Sequence, residues 1–335
     1  MSYMTKRIFK IDTNKLKRLV TKCSKASGKP KLFIFLDMAY CVFKYQAGYV
    51  DYDAYAMYNL NAKERATIMT RGKNDELVKE LNPKEYWHVF DNKDEFNDMF
   101  KDYLNRKYFM IKNPDTDYEN FTKFIKNFKE VIVKPINQSC GVGISKIKVP
   151  KDLKKLYNKL IKDNTPLIEE IATQHKDISK LHPTSINTVR LVTIRNKYKV
   201  TSIVAAFIRI GTEHRVVDNF NNGGLCCPID IETGKISAPA VDKDGKVYEI
   251  HPTTNIKLVD YQIPMWDEIK QFVIKASHVY PELGYIGWDV CVGEKKPSLI
   301  EGNQYPGHDL YQLPIHRKGN IGVIPTFEKA LNRKK

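Results

Sequence analysis

The spacing of apolar residues changes from a helical to a strand period near residue 107, and this change constrains the fold more than any other feature of the chain. Before it, apolar residues recur at the three- and four-residue intervals of one helix face, as in Leu16, Leu19, Val20 and Cys23. After it come β-branched runs at 188–194 and 199–210, joined by a turn at Asn196–Lys197. The sequence therefore predicts an α+β protein with a mostly helical amino-terminal region.

We place the helical region at residues 1–105 and an α+β body at residues 106–335. The body divides into residues 106–172, which carry a glycine-bearing loop, and residues 173–335, which carry the longest strand-like runs and a closing hairpin. With 335 residues, 42% of them hydrophobic, the chain is long enough for two or three cooperating lobes.

The composition of the chain limits the cellular compartments in which we expect the protein. No apolar stretch reaches the roughly 18 residues of a membrane-spanning helix, and residues 1–10 lack the apolar core of a secretory signal. The six cysteines form no C-x-x-C pair and show no zinc-binding spacing with histidine, so free, reduced thiols are expected. We therefore expect a cytoplasmic protein, and the sequence leaves its oligomeric state open.

The net charge of +16 is concentrated at the amino terminus, where residues 1–31 carry ten Lys or Arg and a single acid, Asp12. Such a segment is typical of a surface that faces a polyanion, either nucleic acid or anionic lipid, or of a solvated helix face. We favour the solvated face, because no nucleic-acid-binding motif accompanies the lysines. Nucleic acid is not expected as a partner, and contact of residues 1–31 with a membrane surface stays open.

Oxygen-bearing side chains converge in a predicted hairpin near the end of the chain. Asp289 lies on its first strand, whereas Glu301 and Asn303 lie two residues apart on its second strand and so project to one face. Carboxylate and amide oxygens are the ligands that Mg²⁺ prefers. The pattern predicts a magnesium site, and the alternative is a hairpin with polar ends and a Pro-Gly turn.

A lysine at the end of an apolar strand suits a phosphate. The strand 131–134 ends at Lys134, and the loop that follows carries Ser139, Gly141 and Gly143. Backbone N–H groups of such a loop can approach phosphate oxygens without interference from a Cβ atom. We interpret the segment as a hairpin that covers a triphosphate, although Gly-x-Gly alone is more often a turn.

A strand that ends in two carboxylates suits an adenosine. Glu169, Glu170 and Ile171 follow two apolar residues, so that backbone groups could bind the adenine edge and a carboxylate could accept hydrogen bonds from ribose hydroxyls. A buried strand that runs into a solvated acidic turn explains this segment equally well.

In this order, the three motifs resemble those of the ATP-grasp superfamily, over roughly residues 90–319. Other segments resemble its sugar-transfer-associated branch: Gln174-His175, residues 182–190, Asp218-Asn219, Gly223-Gly224 and Gly287-Trp288-Asp289. The resemblance implies an ATP-grasp fold, in which two α+β lobes clasp ATP. Residues 106–172 would then clasp the nucleotide, and residues 173–335 would bind metal and substrate.

The resemblance also implies the roles of single residues. Phosphates of ATP would be bound by Lys134 and by a second cation, Lys107 or Arg106, beneath the loop with Ser139, Gly141 and Gly143. Adenosine would be held by Glu169, Glu170 and Ile171, with Glu170 or His175 near the ribose. Two magnesium ions would be held by Asp289, Glu301 and Asn303.

One position departs from the family pattern. Many ATP-grasp ligases have an arginine two residues before the metal-binding aspartate, where it stabilises an acyl-phosphate, and Gly287 occupies that position here. We expect Arg190 and Arg209 to replace it, because a planar guanidinium can hold a phosphoryl oxygen through two hydrogen bonds. Together with Lys134, they are the candidate catalytic residues.

We therefore expect an ATP- and Mg²⁺-dependent ligase that joins a small carboxylate to an amine through an acyl-phosphate. The resemblance suggests a saccharide-linked or amino-acid substrate, as in cell-surface glycan biosynthesis. A kinase that phosphorylates a sugar or similar acceptor would use the same residues. A non-catalytic polyanion-binding protein would instead use residues 1–31, but the acidic residues of the predicted metal site would repel such a ligand.

Overall fold

The computed structural model describes residues 12–136, 143–213, 218, 220 and 223–332. Its amino-terminal helices are α1 (Thr13–Ser27), α2 (Lys31–Tyr45), α3 (Tyr49–Ala54), α4 (Ala62–Ala66), α5 (Arg71–Leu81), α6 (His88–Asp91), α7 (Lys93–Met99) and α8 (Lys101–Leu104). Later helices are α9 (Tyr118–Ile125), α10 (Leu153–Lys162), α11 (Lys176–Leu181), α12 (Trp266–Ala276) and α13 (Ile324–Leu331). Short 3-10 turns lie at Met57–Asn59, Lys84–Tyr86 and Pro314–His316.

The strands in the described ranges form two antiparallel sheets. The small sheet has the order β1-β4-β2-β3 and comprises β1 (Tyr108–Met110), β2 (Glu130–Lys134), β3 (Ser145–Lys148) and β4 (Leu167–Glu169). The large sheet has the order β11-β10-β5-β6-β7-β8-β9. Its strands are β5 (Val189–Arg195), β6 (Thr201–Ile210), β7 (Leu225–Pro228), β8 (Ala240–Val241), β9 (Val247–Tyr248), β10 (Tyr285–Cys291) and β11 (Ser298–Asn303). The predicted α+β class is confirmed.

Local sequence signals account for several helix boundaries. Asn61 accepts a hydrogen bond from the Glu64 backbone while Glu64 accepts one from the Asn61 backbone, so the two residues form a capping box at the start of α4. Helix α10 begins at Leu153, because the Asp152 carboxylate accepts from the Lys155 backbone at 2.9 Å and caps Leu153–Lys162. Phe100 separates α7 from α8.

The central strands of the large sheet are covered on both faces, whereas β9 at its edge is partly exposed. Adjacent residues Cys226 and Cys227 of β7 point to opposite faces, as their strand position predicts. Cys227 packs in the core that includes Trp266 and Ile269 of α12, whereas Cys226 packs in the core that includes Phe327 of α13. The small sheet has its own core with α9 and α10. The cysteines within the described ranges are buried and free, and Cys140 lies outside those ranges.

The amino-terminal helices pack in three places. Residues 19–68 form a core of their own, and residues 89–104 pack in the same core as one face of the large sheet. Leu77 and Val78 of α5 pack in the core on the other face of that sheet. The helical region predicted for residues 1–105 therefore contains helices that belong to the core of the body, and the boundary at residue 105 stays a prediction. Within the described residues, no helix combines the length and the hydropathy needed to cross a membrane.

Asn82 fastens the helical region to the large sheet. Its buried side chain donates to the carbonyl oxygens of Tyr285 and Gln304 and accepts from the backbone N–H groups of Gly284 and Tyr285. The single amide therefore satisfies backbone groups at both strands of the β10–β11 hairpin, which carries the predicted metal ligands.

Replacement of Asn82 by alanine should lower the free energy of unfolding by about 3 kcal/mol, because buried backbone groups lose their partners. Chemical denaturation of the full chain measures this change. The matched control is Asn127→Ala, whose side chain donates to two backbone carbonyls on an exposed helix end and should shift stability by only about 0.5 kcal/mol. Equal effects of the two substitutions would contradict the fastening role of Asn82.

Candidate active site

A buried carboxylate, Glu169, lies at the centre of a cationic cluster at the end of strand β4 in the small sheet. Its Oε2 atom lies 3.0 Å from Nε of Arg106 and 2.6 Å from Nζ of Lys134. Its Oε1 atom accepts from Nη2 of Arg106 at 3.1 Å and from Asn97 at 3.2 Å. Strand β4 lies between β1 and β2, and the sheet register places Glu169 opposite Tyr108 of β1 and Ile132 of β2.

Burial of Glu169 opposes its ionisation, yet the charges of Arg106 and Lys134 hold the pKa of this carboxyl well below its ordinary value. Glu169 is therefore ionised at neutral pH and fixes two cations. Arg106 also donates to the carbonyl oxygens of Leu299 and Ile300 on β11. The guanidinium therefore joins the small sheet to the large one.

A second buried carboxylate, Asp289, lies in the middle of the large sheet. It is the cross-strand partner of Arg190 on β5 and of Glu301 on β11. Arg190 binds Asp289 through two nitrogens, with Nη2 at 2.8 Å from Oδ2, and Nη2 of Arg209 lies 2.7 Å from the same oxygen. Burial opposes ionisation of Asp289, but the two guanidinium groups hold its pKa below the ordinary value.

Glu301 lies beside Asp289, but the pKa of its carboxyl group is shifted in the opposite direction. Burial raises the pKa of Glu301, and the charge of Asp289 and a hydrogen bond between the two side chains raise it further. An irregularity in the β10–β11 register follows Asp289, so that Glu301 faces Asp289 directly. A buried carboxyl group beside a partly buried one favours a cation between or beside them.

Of the three predicted metal ligands, Glu301 is the cross-strand partner of Asp289, and Asn303 is the cross-strand partner of Gly287, two residues along each strand. The described residues contain no set of three His, Cys, Asp or Glu side chains placed to hold a metal ion, so the site would consist of two carboxylates and an amide. Nδ2 of Asn303 is buried without a hydrogen-bond partner, so the protein does not fix the amide orientation. Oxygen donors of this kind fit Mg²⁺. Because Asp289 already accepts from two arginines, Glu301 is the more available ligand.

Two glycines leave space for neighbouring side chains. A Cβ atom on Gly302 would lie 2.4 Å from the Phe90 ring, so only glycine fits between Glu301 and Asn303 while their side chains face the cleft. A Cβ atom on Gly287 would lie 3.0 Å from Nη1 of Arg190. Gly287 therefore leaves room for the Arg190 guanidinium, which occupies the space beside the position where the family pattern has an arginine.

A cavity of about 430 Å³ lies between the two sheets. Its apolar walls include Ile132 and Ile144 beside the small sheet and Ile300 of the large sheet, and its polar lining includes Lys134 and Glu170. Such a space, apolar with a few charged groups, is typical of a nucleotide site. We call it the inter-sheet cavity.

A neighbouring cavity of about 520 Å³ extends from the same point toward the amino-terminal helices. Lys93 and Asn97 of α7 line it, together with Arg190 and Tyr305. We call it the helix-side cavity. The residues that line both cavities are Lys134, Ile144, Glu169, Arg209, Ile300 and Glu301. The two spaces therefore meet at the candidate metal ligand Glu301.

A larger hollow of about 1130 Å³ lies elsewhere on the surface. It is lined by residues 195–199 at the far end of β5 and by Leu331 of α13. It contains neither Glu169 nor Asp289, and therefore lacks the buried ion clusters that distinguish the candidate site.

Other predicted site residues differ in their placement. The Lys107 side chain is exposed and does not line either cavity, so the structure favours the alternative Arg106 as the second cation. Glu170 and Ile171 line the inter-sheet cavity, whereas His175 does not and caps α11 by accepting from the Asp177 backbone. Gly143 has the left-handed backbone of a turn, with φ of 74°. Ser139 and Gly141 lie outside the described residues.

Sequence reasoning overlooked several residues that shape the site. Asn97 and Lys93 lie on α7, far from the motifs in sequence, and no local signal marks them. Asp218, predicted only as part of a polar loop, accepts from the Thr188 backbone at 2.8 Å and lies 3.7 Å from Nε of Arg209. Burial raises the pKa of Asp218, an effect that the charge of Arg209 opposes.

Hydrogen bonds within residues 182–188, and between this segment and Gln174, largely explain its sequence pattern. Gln174 donates to the Ser185 carbonyl at 2.7 Å and accepts from the Asn187 backbone at 3.0 Å. His182 contacts the Ser185 hydroxyl at 2.8 Å. These bonds fold the segment along one wall of the inter-sheet cavity, where Ser185 and Thr188 are part of the lining.

The chain was compared with known proteins. A family model described as sugar-transfer associated ATP-grasp matches residues 72–320, which is more than half of the chain. No curated protein matches its sequence.

Among solved structures, similarity is distant. D-alanine–D-alanine ligase from Bacillus anthracis shares 11% identity at a TM-score of 0.43, covering 82% of this chain and 77% of that one. L-amino acid ligase from Bacillus licheniformis shares 12% identity at a TM-score of 0.43, covering 73% of this chain and 48% of that one. The ADP complex of N5-carboxyaminoimidazole ribonucleotide synthetase shares 11% identity at a TM-score of 0.39, covering 66% of this chain and 46% of that one. This chain therefore spans about half the length of the L-amino acid ligase and of the synthetase.

Glu169→Gln should lower the free energy of unfolding at neutral pH by about 3 kcal/mol, because two buried cations lose their counter-charge. The folded state holds the Glu169 pKa below its unfolded value of about 4.3, so the stabilisation is complete above that pH and is lost as the pH falls. The difference between wild type and variant should therefore be constant from neutral pH to about pH 5 and shrink below about pH 4.

Denaturant titrations at several pH values measure this profile. Glu119→Gln is the matched control, since Glu119 forms an exposed pair with Lys123 and its loss should leave stability unchanged. A Glu169→Gln deficit that persists undiminished in acid would contradict the ionised cluster.

Proposed function

Because the chain belongs to the sugar-transfer associated ATP-grasp family, we propose that it is an ATP- and Mg²⁺-dependent carboxylate–amine ligase. The family match confirms the resemblance drawn from the motifs and, with it, the ATP-grasp fold. The observation that supports the activity best is the meeting of the inter-sheet cavity and the helix-side cavity at Glu301. One cavity would hold ATP and the other a carboxylate substrate, with the reacting groups at the junction.

The chain's residues have distinct roles in binding ATP. Adenine would lie between Ile132 and Ile300, which line the inter-sheet cavity from opposite sheets. Lys134 and Arg106 would bind phosphate oxygens, with Glu169 as a positioning residue that holds both cations in place before the nucleotide arrives. Cations that are already oriented stabilise developing charge without a reorganisation cost at the moment of reaction.

The reaction would proceed in two steps. The substrate carboxylate attacks the γ-phosphorus of ATP, and the bond from that phosphorus to the β–γ bridging oxygen breaks, giving an acyl-phosphate and ADP. An amine then attacks the acyl carbon and expels inorganic phosphate, leaving an amide and releasing a proton. Arg190 and Arg209, held by Asp289, would hold phosphoryl oxygens in the first step, and no nucleophilic side chain is needed.

Magnesium, when bound by Glu301, Asp289 and Asn303, would neutralise the charge of the triphosphate. The chain's own contribution is to hold these oxygen donors on adjacent strands, where the β10–β11 pairing fixes their separation. Water would be excluded from the junction by the closure of the two sheets over it.

The helix-side cavity supports an anionic substrate. Lys93, Arg190 and Arg209 place three cations along its lining, and Gln304 and Tyr305 add polar groups. Burial lowers the pKa of Lys93, an effect that the charge of Glu301 opposes. We propose a saccharide-linked or amino-acid carboxylate, as in cell-surface glycan biosynthesis, because the family is described as sugar-transfer associated.

Glu301→Gln should reduce ATP turnover by at least about a hundredfold, since it removes a metal ligand and leaves the side-chain volume unchanged. ADP release is measured with a panel of uronic acids, amino acids and amines, with hydroxylamine present to trap an acyl-phosphate as a hydroxamate. Glu294→Gln is the control, because Glu294 is an exposed acid that accepts from the Lys176 backbone outside both cavities.

The products decide between the candidate functions. Hydroxamate that depends on ATP and on the carboxylate supports the ligase. A phosphorylated sugar without hydroxamate would instead establish the kinase, and unchanged turnover by Glu301→Gln would remove the metal assignment. Polyanion binding that survives loss of both Asp289 and Glu301, without any ATP turnover, would establish the non-catalytic alternative.

Two lysines, each lining only one of the two cavities, allow the substrate bound in each cavity to be tested separately. Lys93 lines only the helix-side cavity, and Lys146 lines only the inter-sheet cavity. Lys93→Met should raise the KM for the carboxylate about tenfold and leave the KM for ATP nearly unchanged, whereas Lys146→Met should do the reverse. Steady-state kinetics with each substrate varied in turn measure both values. The same KM pattern in both variants would contradict the assignment of the cavities.

A further inference from the structure

Helix α2 carries large apolar side chains on both of its faces. Its inner face, formed by Ile34, Met38, Cys41 and Tyr45, is buried in the core of residues 19–68. The opposite face presents Leu32, Leu36 and Phe43, which are 70%, 58% and 67% exposed. About half of each side chain is exposed at three flanking positions, Phe33, Phe35 and Tyr40.

A helix that is apolar all round is normally enclosed by protein or by lipid. With 15 residues, α2 is shorter than the roughly 20 residues that span a bilayer. It can, however, lie in the plane of a membrane interface, with one face in contact with acyl chains and the other on its own protein core. Six of the fifteen large hydrophobic residues that are exposed among the described residues lie on this one helix.

The positive charge beside the exposed apolar face of α2 indicates which kind of partner would bind there. Helix α1 shares the core that buries the inner face of α2, and its outer side carries exposed cations at Lys15, Lys17, Arg18 and Lys25. No acidic residue occurs between Asp12 and Asp37 in the sequence.

Further cations border the apolar face of α2 itself. Nζ of Lys29 lies 5.4 Å from the centre of the Phe33 ring. Exposed lysines, Lys31 and Lys44, stand at the two ends of α2. An apolar helix face bordered by cations is complementary to an anionic membrane surface, in which phosphate head groups cover the acyl layer.

We propose that α1 and α2 form a docking surface for an anionic phospholipid bilayer. Leu32, Leu36 and Phe43 enter the boundary between head groups and acyl chains, and the α1 cations bind lipid phosphates. The surface lies on the core of residues 19–68, and none of its residues lines the inter-sheet cavity or the helix-side cavity. Docking through these helices therefore uses none of the residues that line the candidate active site.

Flotation of the full chain with lipid vesicles tests the proposal. The protein should float with vesicles of phosphatidylcholine and phosphatidylglycerol and should remain unbound with phosphatidylcholine alone. The double variant Leu36→Gln with Phe43→Gln should weaken partitioning by at least about tenfold, because two large side chains no longer enter the interface. Arg18→Gln with Lys25→Gln should weaken it several-fold for each cation, and high salt should weaken wild-type binding in the same direction.

Two matched controls keep the test specific. Val200→Gln with Ile250→Gln replaces side chains that are 55% and 53% exposed on other surfaces, and vesicle binding should be unchanged. Thermal unfolding of each variant should match that of the wild type, because every substituted side chain is exposed.

Three outcomes would overturn the proposal. The first is the absence of binding to anionic vesicles at low salt. The second is binding that the apolar double variant retains but that deletion of residues 1–11 abolishes, which would assign the lipid contact to that segment alone. The third is a stable dimer in solution that Phe43→Gln dissociates, which would make the apolar face a contact between two copies of the chain.

Discussion

Two buried carboxylates, Glu169 and Asp289, determine how the cleft between the sheets is built. A buried charge is costly unless it is paired and fully hydrogen-bonded, so each carboxylate requires cations from other elements of the chain. Glu169 takes Arg106 and Lys134, and Asp289 takes Arg190 and Arg209. The bonds of Arg106 to β11 carbonyls then extend the first cluster to the second sheet.

Of the carboxyl groups of Glu169, Asp289 and Glu301, that of Glu301 has its charged form disfavoured, and it lies where the reaction is proposed. Four cations surround Glu169 and Asp289, and Glu301 lies beside them with a raised pKa because burial and its neighbour disfavour its charge. A triphosphate would meet cations that are already held in position, and a metal ion would relieve the repulsion between Glu301 and Asp289. The arrangement that stabilises the cleft without ligands therefore also prepares it for an anionic nucleotide and a divalent cation.

Much of the fold could be predicted from the sequence, because its signals are local. Strand pairing of Asp289 with Glu301 follows from two β-prone runs and a short turn, and the capping box at Asn61 follows from residue spacing. The partners of those residues could not be predicted in the same way. Asn97 reaches Glu169 across 72 positions of sequence, and the preference for Arg106 over Lys107 depends on which side chain the tertiary packing buries.

The sequence also left the role of Gly287 open. Only the packed β5–β10 pair shows that this glycine adjoins the Arg190 guanidinium, because the relevant distance connects two strands that are far apart in the chain. Similarly, the apolar outer face of α2 is evident only once the inner face has been assigned to a core, since nearly every position of the helix is apolar.

A crystal structure of the full chain with Mn²⁺ and a non-hydrolysable ATP analogue tests the central claim most directly. The account predicts an anomalous Mn²⁺ peak within coordination distance of Glu301, with the triphosphate beside Lys134 and the adenine between the two sheets. A nucleotide bound outside that cleft, or a metal peak remote from Glu301, Asp289 and Asn303, would contradict it.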